Sequence, residues 1–198
     1  MCPAGTYALA AGLTTATCSG LCNAGYWCAA GSISPTQNKC PEGTYGHTPG
    51  QQTSLCAGTC SAGYYCVAGS TDPNQFACTA GRYGATQGLT DPMCSGPCAP
   101  GHYCPAGSQS ATAVPCPAGR YGNSTGLTNA TCDGPCALGY FCDVLGSTVA
   151  TAKPCPAGSF GNVTGLKDEA CSGLCYVGYW CGAVRARQLA LLRRLYDE

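Results

Sequence analysis

Twenty cysteines are the residues of this sequence whose type and spacing could do chemistry, because thiols pair into disulfides or ligate zinc. The pattern C-x15-C-x3-C-x5-C occurs five times, and the five copies use all 20 cysteines. The copies begin 38, 38, 38 and 39 residues apart, at Cys2, Cys40, Cys78, Cys116 and Cys155. A fixed period of this length is typical of an array of one small structural unit.

Four cysteines in one repeat allow three pairings, and the sequence alone does not choose among them. Loop lengths favour first with second, across 15 intervening residues, and third with fourth, across five, because each repeat then stays self-contained. The larger loop contributes about 3 kcal/mol in the chain-entropy account. The pairs expected on this basis are Cys2–Cys18, Cys22–Cys28, Cys40–Cys56, Cys60–Cys66, Cys78–Cys94, Cys98–Cys104, Cys116–Cys132, Cys136–Cys142, Cys155–Cys171 and Cys175–Cys181.

Zinc binding is the alternative use of these thiols. Structural zinc sites favour gaps of two to four residues in two paired knuckles, often with histidine. The two histidines, His47 and His102, lie at unrelated offsets in their repeats. We therefore expect disulfides and no metal or cofactor. A metal-storage protein, a further alternative, would need reduced thiols.

The composition points to cross-links as the main source of stability. Leu, Ile, Val and Phe together make up 25 of the 198 residues, too few for an ordinary globular core. Disorder is the usual consequence, but it comes with high net charge, and the formal net charge here is zero with 9% charged residues. Disulfides stabilise units that are too small to bury enough apolar surface.

The same lack of charge bears on partners. Nucleic-acid binding needs clustered Lys and Arg, and attraction to an anionic membrane needs a basic patch, so we expect neither. No run of about 18 apolar residues is present, so we expect no membrane span in this chain. The sequence begins in register at Cys2 without a signal peptide, which suggests a mature piece or a fragment of a longer array.

Recurring glycines and aromatic residues predict the local structure. A glycine follows each first cysteine by three residues, and an aromatic residue follows two later, as Gly81 and Tyr83 do after Cys78. Glycine suits positions with positive φ or close backbone approach, so each repeat makes the same turns. We expect small disulfide-rich repeats forming an elongated rod of five tandem units of about 38 residues, with short β-hairpins and turns and little helix.

The predicted boundaries follow the first cysteines. Repeats 1 to 4 cover residues 2–39, 40–77, 78–115 and 116–154, and repeat 5, which is incomplete, covers 155–182. Repeat 4 carries one extra residue within Cys142–Gly146, in a loop that tolerates additions. Residues 183–198 form a non-repeat tail, in which Leu189, Leu192 and Tyr196 recur at helical spacing and predict a short amphipathic helix.

The repeats resemble a known class. The Cys-Pro-Ala-Gly-x-Tyr segments at Cys2–Tyr7 and Cys116–Tyr121 resemble the ephrin-receptor-like cysteine-rich repeat, and more distantly the cysteine-rich modules of tumour necrosis factor receptors. Cys18–Cys22 and Gly63–Cys66 are similar to repeats of large surface proteins of algae and protists. The resemblance covers residues 1 to about 182 and implies elongated, disulfide-stapled extracellular arrays, but no ligand surface, because the cysteine spacings depart from receptor modules.

Three sequons mark candidate glycosylation sites, at Asn123, Asn129 and Asn162. Asn123 and Asn162 lie at the same offset, seven residues after their first cysteines. A second aromatic set precedes each fourth cysteine, and it either packs against the repeats or forms a stripe that binds sugars or a neighbouring molecule. The set is Tyr26–Trp27, Tyr64–Tyr65, His102–Tyr103, Tyr140–Phe141 and Tyr179–Trp180.

No catalytic arrangement is apparent, so we expect that the protein is not an enzyme. Neither histidine recurs with an acid partner, the acidic residues are scattered, and no Gly-Lys-Ser/Thr phosphate loop is present. The sequence favours a structural extracellular or cell-surface protein, a glycosylated rod that serves as surface spacer, wall component or filament subunit. The alternative is a receptor or adhesin ectodomain with a protein or glycan ligand. Expected partners are other copies of the chain or neighbouring surface proteins, besides covalent N-glycans.

Overall fold

The computed structural model describes residues 1–15, 17–183 and 189–190, the last pair as backbone only. The chain divides into two units. The first comprises Met1–Pro97 and Pro105–Ala111, and the second comprises Cys98–Cys104 and the residues from Thr112 onward. Both units consist of two-residue strands joined by turns, and the described residues contain no helix.

Within the described residues, eighteen strands pair as nine antiparallel hairpins. Repeats 1 to 4 have two hairpins each, and repeat 5 has one, together with a single bridge between Ser159 and Leu174. The strands are β1 Thr6–Tyr7, β2 Gly20–Leu21, β3 Tyr26–Trp27, β4 Asn38–Lys39, β5 Thr44–Tyr45, β6 Gly58–Thr59, β7 Tyr64–Tyr65, β8 Phe76–Ala77, β9 Arg82–Tyr83, β10 Gly96–Pro97, β11 His102–Tyr103, β12 Val114–Pro115, β13 Arg120–Tyr121, β14 Gly134–Pro135, β15 Tyr140–Phe141, β16 Lys153–Pro154, β17 Tyr179–Trp180 and β18 Leu189–Ala190.

Each repeat contains two half-repeats of the same design. In repeat 2 the first half-repeat runs over residues 40–59 and the second over residues 60–77. Both open with Cys-x-x-Gly-x-aromatic, and in both the second strand ends just before the next cysteine. The sequence period of 38 residues therefore contains a structural period of about half that length.

A turn at the start of each half-repeat brings the chain into its first strand. In the second half of repeat 2, Tyr64 N donates to Ser61 O at 3.1 Å, and Gly63 lies third in this four-residue turn with φ +83°. Type II turns require positive φ at that position, which glycine adopts without steric cost. The recurring glycine thus fixes where each hairpin begins.

Backbone hydrogen bonds also join each half-repeat to the next. Within repeat 2, Gly43 N donates to Cys66 O and Gly69 N donates to Cys40 O, both at 2.8 Å. These bonds are reciprocal, so the two hairpins are held in one register. Because neighbouring half-repeats supply the partners, buried backbone groups are satisfied without long strands.

A second set of bonds joins the second half of one repeat to the first half of the following repeat. We call this set of three hydrogen bonds the stacking interface. It occurs four times, twice in each unit, with donor–acceptor distances between 2.6 and 3.0 Å. In the first unit, one instance consists of Gly25 N to Gly46 O at 2.8 Å, Cys28 N to Gln51 O at 3.0 Å, and Gly50 N to Cys22 O at 2.8 Å.

Cystine takes the place of a conventional hydrophobic core. Twelve cysteines are fully buried, whereas Phe141, Phe160 and Leu166 are the large apolar residues among the buried core of the described chain. Phe141, Leu166 and Cys155 form a small cluster in the second unit. The structure therefore confirms the predicted class of small disulfide-rich repeats with short hairpins and little helix.

The helix predicted for the tail is wrong where the structure describes it. Leu189–Ala190 form β18, which pairs antiparallel with β17, so the tail supplies the second strand of the last hairpin. An extended segment satisfies the backbone of Tyr179–Trp180, which a helix at this place would not do. The rest of the predicted helix, at residues 184–188 and 191–198, lies outside the described residues.

A pair of matched glycines tests how closely the half-repeats must pack. Gly43 and Gly158 share the offset of three from the first cysteine and have φ values of +78° and +88°. A methyl group on Gly43 would lie 2.5 Å from Gly88 O, whereas one on Gly158 would have no neighbour within 4 Å among the residues that the structure describes. We expect Gly43→Ala to destabilise its neighbourhood by about 2–5 kcal/mol, from backbone strain and overpacking together.

Hydrogen exchange would measure this loss, at amides of repeats 2 and 3 for Gly43→Ala and at amides of repeat 5 for Gly158→Ala. Gly158→Ala is the control, because it carries the backbone strain without the collision, and we expect it to cost about 1–3 kcal/mol. Equal effects of the two substitutions would contradict the close packing at Gly43.

Candidate functional site

All 20 cysteines lie among the described residues, and none is free. In each repeat the first cysteine is bonded to the second and the third to the fourth, which are the pairs that loop lengths favour. Ten disulfides in a chain of this size are typical of an extracellular or secreted protein, because thiols in the cytosol are kept reduced. Among the described residues, no group of three or more His, Cys, Asp or Glu side chains is placed to hold a metal ion.

The second cysteine of every repeat has an unusual backbone. Cys18, Cys56, Cys94, Cys132 and Cys171 have φ values of 50–53°. Non-glycine residues rarely adopt this left-handed region, and the conformation persists only where surrounding structure imposes it. Here the imposing structure is a disulfide on one side and a tight turn on the other.

We call the turn that leads into the second cysteine the cysteine turn. The cysteine amide donates to the carbonyl oxygen three residues earlier, as Cys94 does to Asp91 O at 3.2 Å. The Asp91 carboxylate also accepts from Met93 N at 2.7 Å, and Asp168 accepts from Ala170 N at 3.1 Å. Asp and Asn favour such turns because their side chains bond the backbone two residues on.

Asn129 has both this capping role and a sequon. Its Oδ1 accepts from Thr131 N at 2.9 Å and from Thr131 Oγ1 at 2.5 Å, and its Nδ2 donates to Thr128 Oγ1 at 3.2 Å. An N-glycan is attached through Nδ2. Capping and glycosylation therefore use different atoms of one exposed side chain, and the folded turn is compatible with a glycan.

The capping role could have been recognised in the sequence from the residue type at one position, which belongs neither to the cysteine pattern nor, in most repeats, to a sequon. The residue three positions before each second cysteine is always Thr, Asp or Asn. These are the residues that cap turns, so the recurrence could have predicted the cysteine turn. The five positions are Thr15, Thr53, Asp91, Asn129 and Asp168.

Asn123 and Asn162 are also exposed, at equivalent places in the first half-repeats of repeats 4 and 5. Asn162 N donates to Ser172 Oγ at 3.0 Å. In repeat 4 an aspartate replaces this serine, and Ser124 N donates to Asp133 Oδ2 at 2.8 Å. The hydrogen bond from the Ser124 amide lowers the pKa of Asp133 below its usual value, because it stabilises the ionised carboxylate.

Most of the aromatic residues are half-buried, whereas Phe141 and Phe160 are buried and Tyr176, Tyr179 and Trp180 are exposed. In repeats 1 to 4 the tyrosine five residues after the first cysteine lies against a glycine of its own hairpin, so that a methyl group on Gly20 would touch the Tyr7 ring at 3.5 Å. In the second set Tyr65 stacks on Phe76 with 5.4 Å between ring centroids. Tyr179 of repeat 5 is 46% exposed. Packing thus accounts for one face of most rings and leaves an edge at the surface.

Charged groups form one short ion pair among the described residues. Lys153 Nζ lies 2.6 Å from Asp143 Oδ2, and Asp143 is in the segment that makes repeat 4 one residue longer. The bond from Lys153 lowers the pKa of Asp143. Both side chains are solvated, and exposed pairs of this kind contribute little to stability.

Neither a protein-family model nor a curated protein matches this sequence. In the described ranges no helix has the length and apolar character needed to cross a bilayer. The cysteine framework and the surface of the repeats therefore provide the grounds for a functional proposal.

Substitution of Asn129 separates its two roles. Asn129→Asp removes the sequon and keeps the capping oxygen, as in Asp91 and Asp168, whereas Asn129→Gln removes both. In protein secreted from a glycosylating host, we expect both variants to lose one glycan mass. We expect Asn129→Gln alone to destabilise the cysteine turn by about 1 kcal/mol, measured by exchange of the Cys132 amide. An unchanged mass would argue against occupancy, and equal exchange in the two variants would argue against the capping role.

Asp133 predicts a local dependence on pH. Its pKa is lower in the folded chain than in the unfolded one, so the stabilisation is present at neutral pH and is lost as the pH falls through the folded pKa. We expect the Ser124 amide resonance to titrate in acid and its exchange protection to fall there. Asp133→Ser, which copies the serine of repeats 1, 3 and 5, should abolish this titration while keeping the hairpin; a titration that persists in this variant would contradict the assignment.

Proposed function

We propose that the protein is a structural extracellular protein, an array of disulfide-stapled and N-glycosylated repeats that serves as a surface spacer, wall component or filament subunit. The observation that carries this proposal is the fourfold recurrence of the stacking interface with the same three hydrogen bonds. A binding or catalytic protein commonly reserves one site with its own chemistry. Here the chemistry is spread evenly along the chain, as a mechanical element requires.

The resemblance to ephrin-receptor-like repeats supports the same proposal. Its Cys-Pro-Ala-Gly-x-Tyr motif falls at the turn and first strand of the first half-repeat, for instance at Cys116–Tyr121. Three residues of the motif have structural tasks: the cysteine forms a disulfide, the glycine adopts positive φ in the turn, and the tyrosine ring covers the hairpin. The motif therefore supports a repeat class and leaves the choice of ligand open.

N-glycans would screen the exposed apolar side chains of a surface with so few charges. Only 9% of the residues are charged, and Leu138, Leu145 and Val163 are among the exposed apolar side chains of repeats 4 and 5. Exposed apolar groups promote association unless polar groups screen them. We propose that N-glycans at Asn123, Asn129 and Asn162 supply that screening in repeats 4 and 5, at the cell surface or outside the cell.

The alternative function, a receptor or adhesin ectodomain, requires a surface that one repeat has and the others lack. The exposed edges of the second aromatic set are the best candidates for it, because rings with a polar tip are frequent at binding sites. A screen of the secreted protein against glycans and against cell surfaces would detect such a ligand. Saturable binding that depends on one repeat would favour the alternative over the structural role.

Resistance to proteolysis tests the structural role directly. We expect the oxidised protein to survive trypsin and chymotrypsin for hours, because the disulfides limit local opening, and to be cleaved within minutes after reduction and alkylation. The time course would be followed by mass spectrometry. Deglycosylated oxidised protein is the control that separates glycan shielding from cross-linking. Rapid cleavage of the oxidised chain at many sites would contradict the proposal.

A further inference from the structure

A groove of about 500 Å³ lies between the first half-repeats of repeats 4 and 5, within the second unit. Its walls include two cationic side chains, Arg120 and Lys167, together with Pro135 and the exposed Thr164. Of the residues that line it in the described part of the chain, none is acidic. We call it the cationic groove.

A close backbone contact positions Lys167 in this groove. A methyl group on Gly119 would lie 2.5 Å from Gly165 O and 3.0 Å from Lys167 Cγ. The aliphatic part of the lysine side chain therefore crosses the backbone immediately before Arg120. Long cationic side chains pack their methylene groups on such a surface and leave the ammonium group in water. Both cationic groups consequently border the same groove.

A hydrogen bond positions Arg120. Its Nη1 donates to Thr131 O, in the cysteine turn, at 2.7 Å. Arg82 makes the equivalent bond to Met93 O in repeat 3, at 2.9 Å. A guanidinium group has five N–H donors, so a single bond to the backbone leaves others for a ligand. Because the side chain is anchored before a ligand binds, binding orders it at little further cost.

The acidic side chains that lie near the groove in sequence have other positions or partners. Asp133 and Asp168 each accept a hydrogen bond from a backbone amide, at 2.8 and 3.1 Å. Glu169 lines a different groove. Neither cation of the cationic groove forms an ion pair with a residue that the structure describes. Two positive charges in one groove without a paired carboxylate attract an anion.

The same backbone contact occurs elsewhere with neutral side chains. A methyl group on Gly43 would lie 2.5 Å from Gly88 O and 3.3 Å from Thr90 Cγ2, so Thr90 takes the place of Lys167 there. In the sequence, consecutive repeats combine two cations at the offsets of Arg120 and Lys167 only in repeats 4 and 5. The other combinations are Thr6 with Gln52, Thr44 with Thr90, and Arg82 with Thr128.

We propose that the cationic groove binds the carboxylate or sulfate groups of an acidic polysaccharide. The inference rests on the proposed function, because it names the partner to which a wall component or surface spacer would be attached. Guanidinium and ammonium groups donate charge-assisted hydrogen bonds to such anionic oxygens. The exposed Thr164 adds a hydroxyl group that can bond to a sugar hydroxyl.

The lining of the groove favours a polysaccharide over a protein partner. No aromatic or large aliphatic side chain is among its described lining residues, whereas protein partners commonly bind through an anchor in an apolar pocket. Two exposed charges bind a single small anion weakly. A polymer that repeats one anionic group many times raises the local concentration of that group and so compensates for the weak contact.

The first experiment is an NMR titration of the oxidised, glycosylated chain, read at the amides of Gly119 and Gly165. We expect polygalacturonate and dextran sulfate to shift these resonances and neutral dextran to leave them unchanged. Residue-level detection is needed because arginines at residues 183–198 also attract polyanions. Salt should weaken the effect, since the Debye length falls from about 10 Å at 0.1 M to about 3 Å at 1 M.

The outcomes of this titration are distinct. A response to one acidic polymer alone supports the proposal and identifies the anionic group. No response to either acidic polymer, or an equal response to neutral dextran, would overturn it. A larger response to polyglutamate than to both polysaccharides would overturn the choice of partner.

Matched substitutions test the two cations. Lys167→Thr introduces the residue found at Thr90, and we expect it to weaken binding about fivefold, as the loss of one exposed charge contact implies. Thr44→Arg with Thr90→Lys copies the cation pair onto the equivalent contact, and we expect new shifts at Gly43 and Gly88. Unchanged binding by Lys167→Thr, or a double variant with all thiols paired and no new shifts, would overturn the site.

Glycan removal and the protease time course separate this inference from the proposed function. We expect binding with and without N-glycans, because Asn162 does not line the groove although Thr164 of its sequon does. Binding only after glycan removal would overturn the site in the secreted protein. Protease resistance without polymer binding would overturn the cationic groove and leave the structural role standing. Polymer binding by an oxidised chain that proteases cleave rapidly would overturn the structural role alone.

Discussion

The covalent bond between cysteine sulfurs is the constraint on which the rest of this structure depends. Two-residue strands bury too little surface to hold a fold, and an isolated hairpin is marginally stable in water. Cross-links remove conformational freedom from the unfolded chain and so compensate for the missing apolar burial. The Cys60–Cys66 disulfide is buried, whereas the neighbouring Tyr64 and Tyr65 are half-exposed. The disulfide therefore holds the backbone in place, and the rings cover it.

Hydrogen bonds between neighbouring half-repeats hold one repeat against the next, which the disulfides do not do. Each disulfide lies within one repeat, so it cannot by itself hold one repeat against the next. The stacking interface does this with backbone atoms alone, and it therefore tolerates variation in the side chains around it. Backbone segments approach closely at a few places, such as Gly43, and these positions require glycine. Substitution is therefore not tolerated there.

Much of the fold followed from the cysteine period, because equal spacing of equal residues means equal local structure. Hairpins, turns and the absence of long elements were predictable from glycine positions and from the shortage of large aliphatics. The half-repeat was missed, since its two versions place their second cysteines differently and only the shared Cys-x-x-Gly-x-aromatic links them. The helix prediction for the tail failed at Leu189–Ala190 because the helical spacing of Leu189 and Leu192 is a local pattern. It carries no information about β17, the strand with which Leu189–Ala190 pair.

The sequence by itself determined the unit, its number and the chemistry that holds it, since these depend on which residues recur and how far apart. Candidate glycan sites such as Asn129 also follow from three adjacent residues. Tertiary structure decided which atoms of neighbouring half-repeats meet and how closely their backbones approach, as between Gly43 and Gly88. These facts depend on contacts between residues distant in sequence, and no local pattern encodes the distance between two backbones.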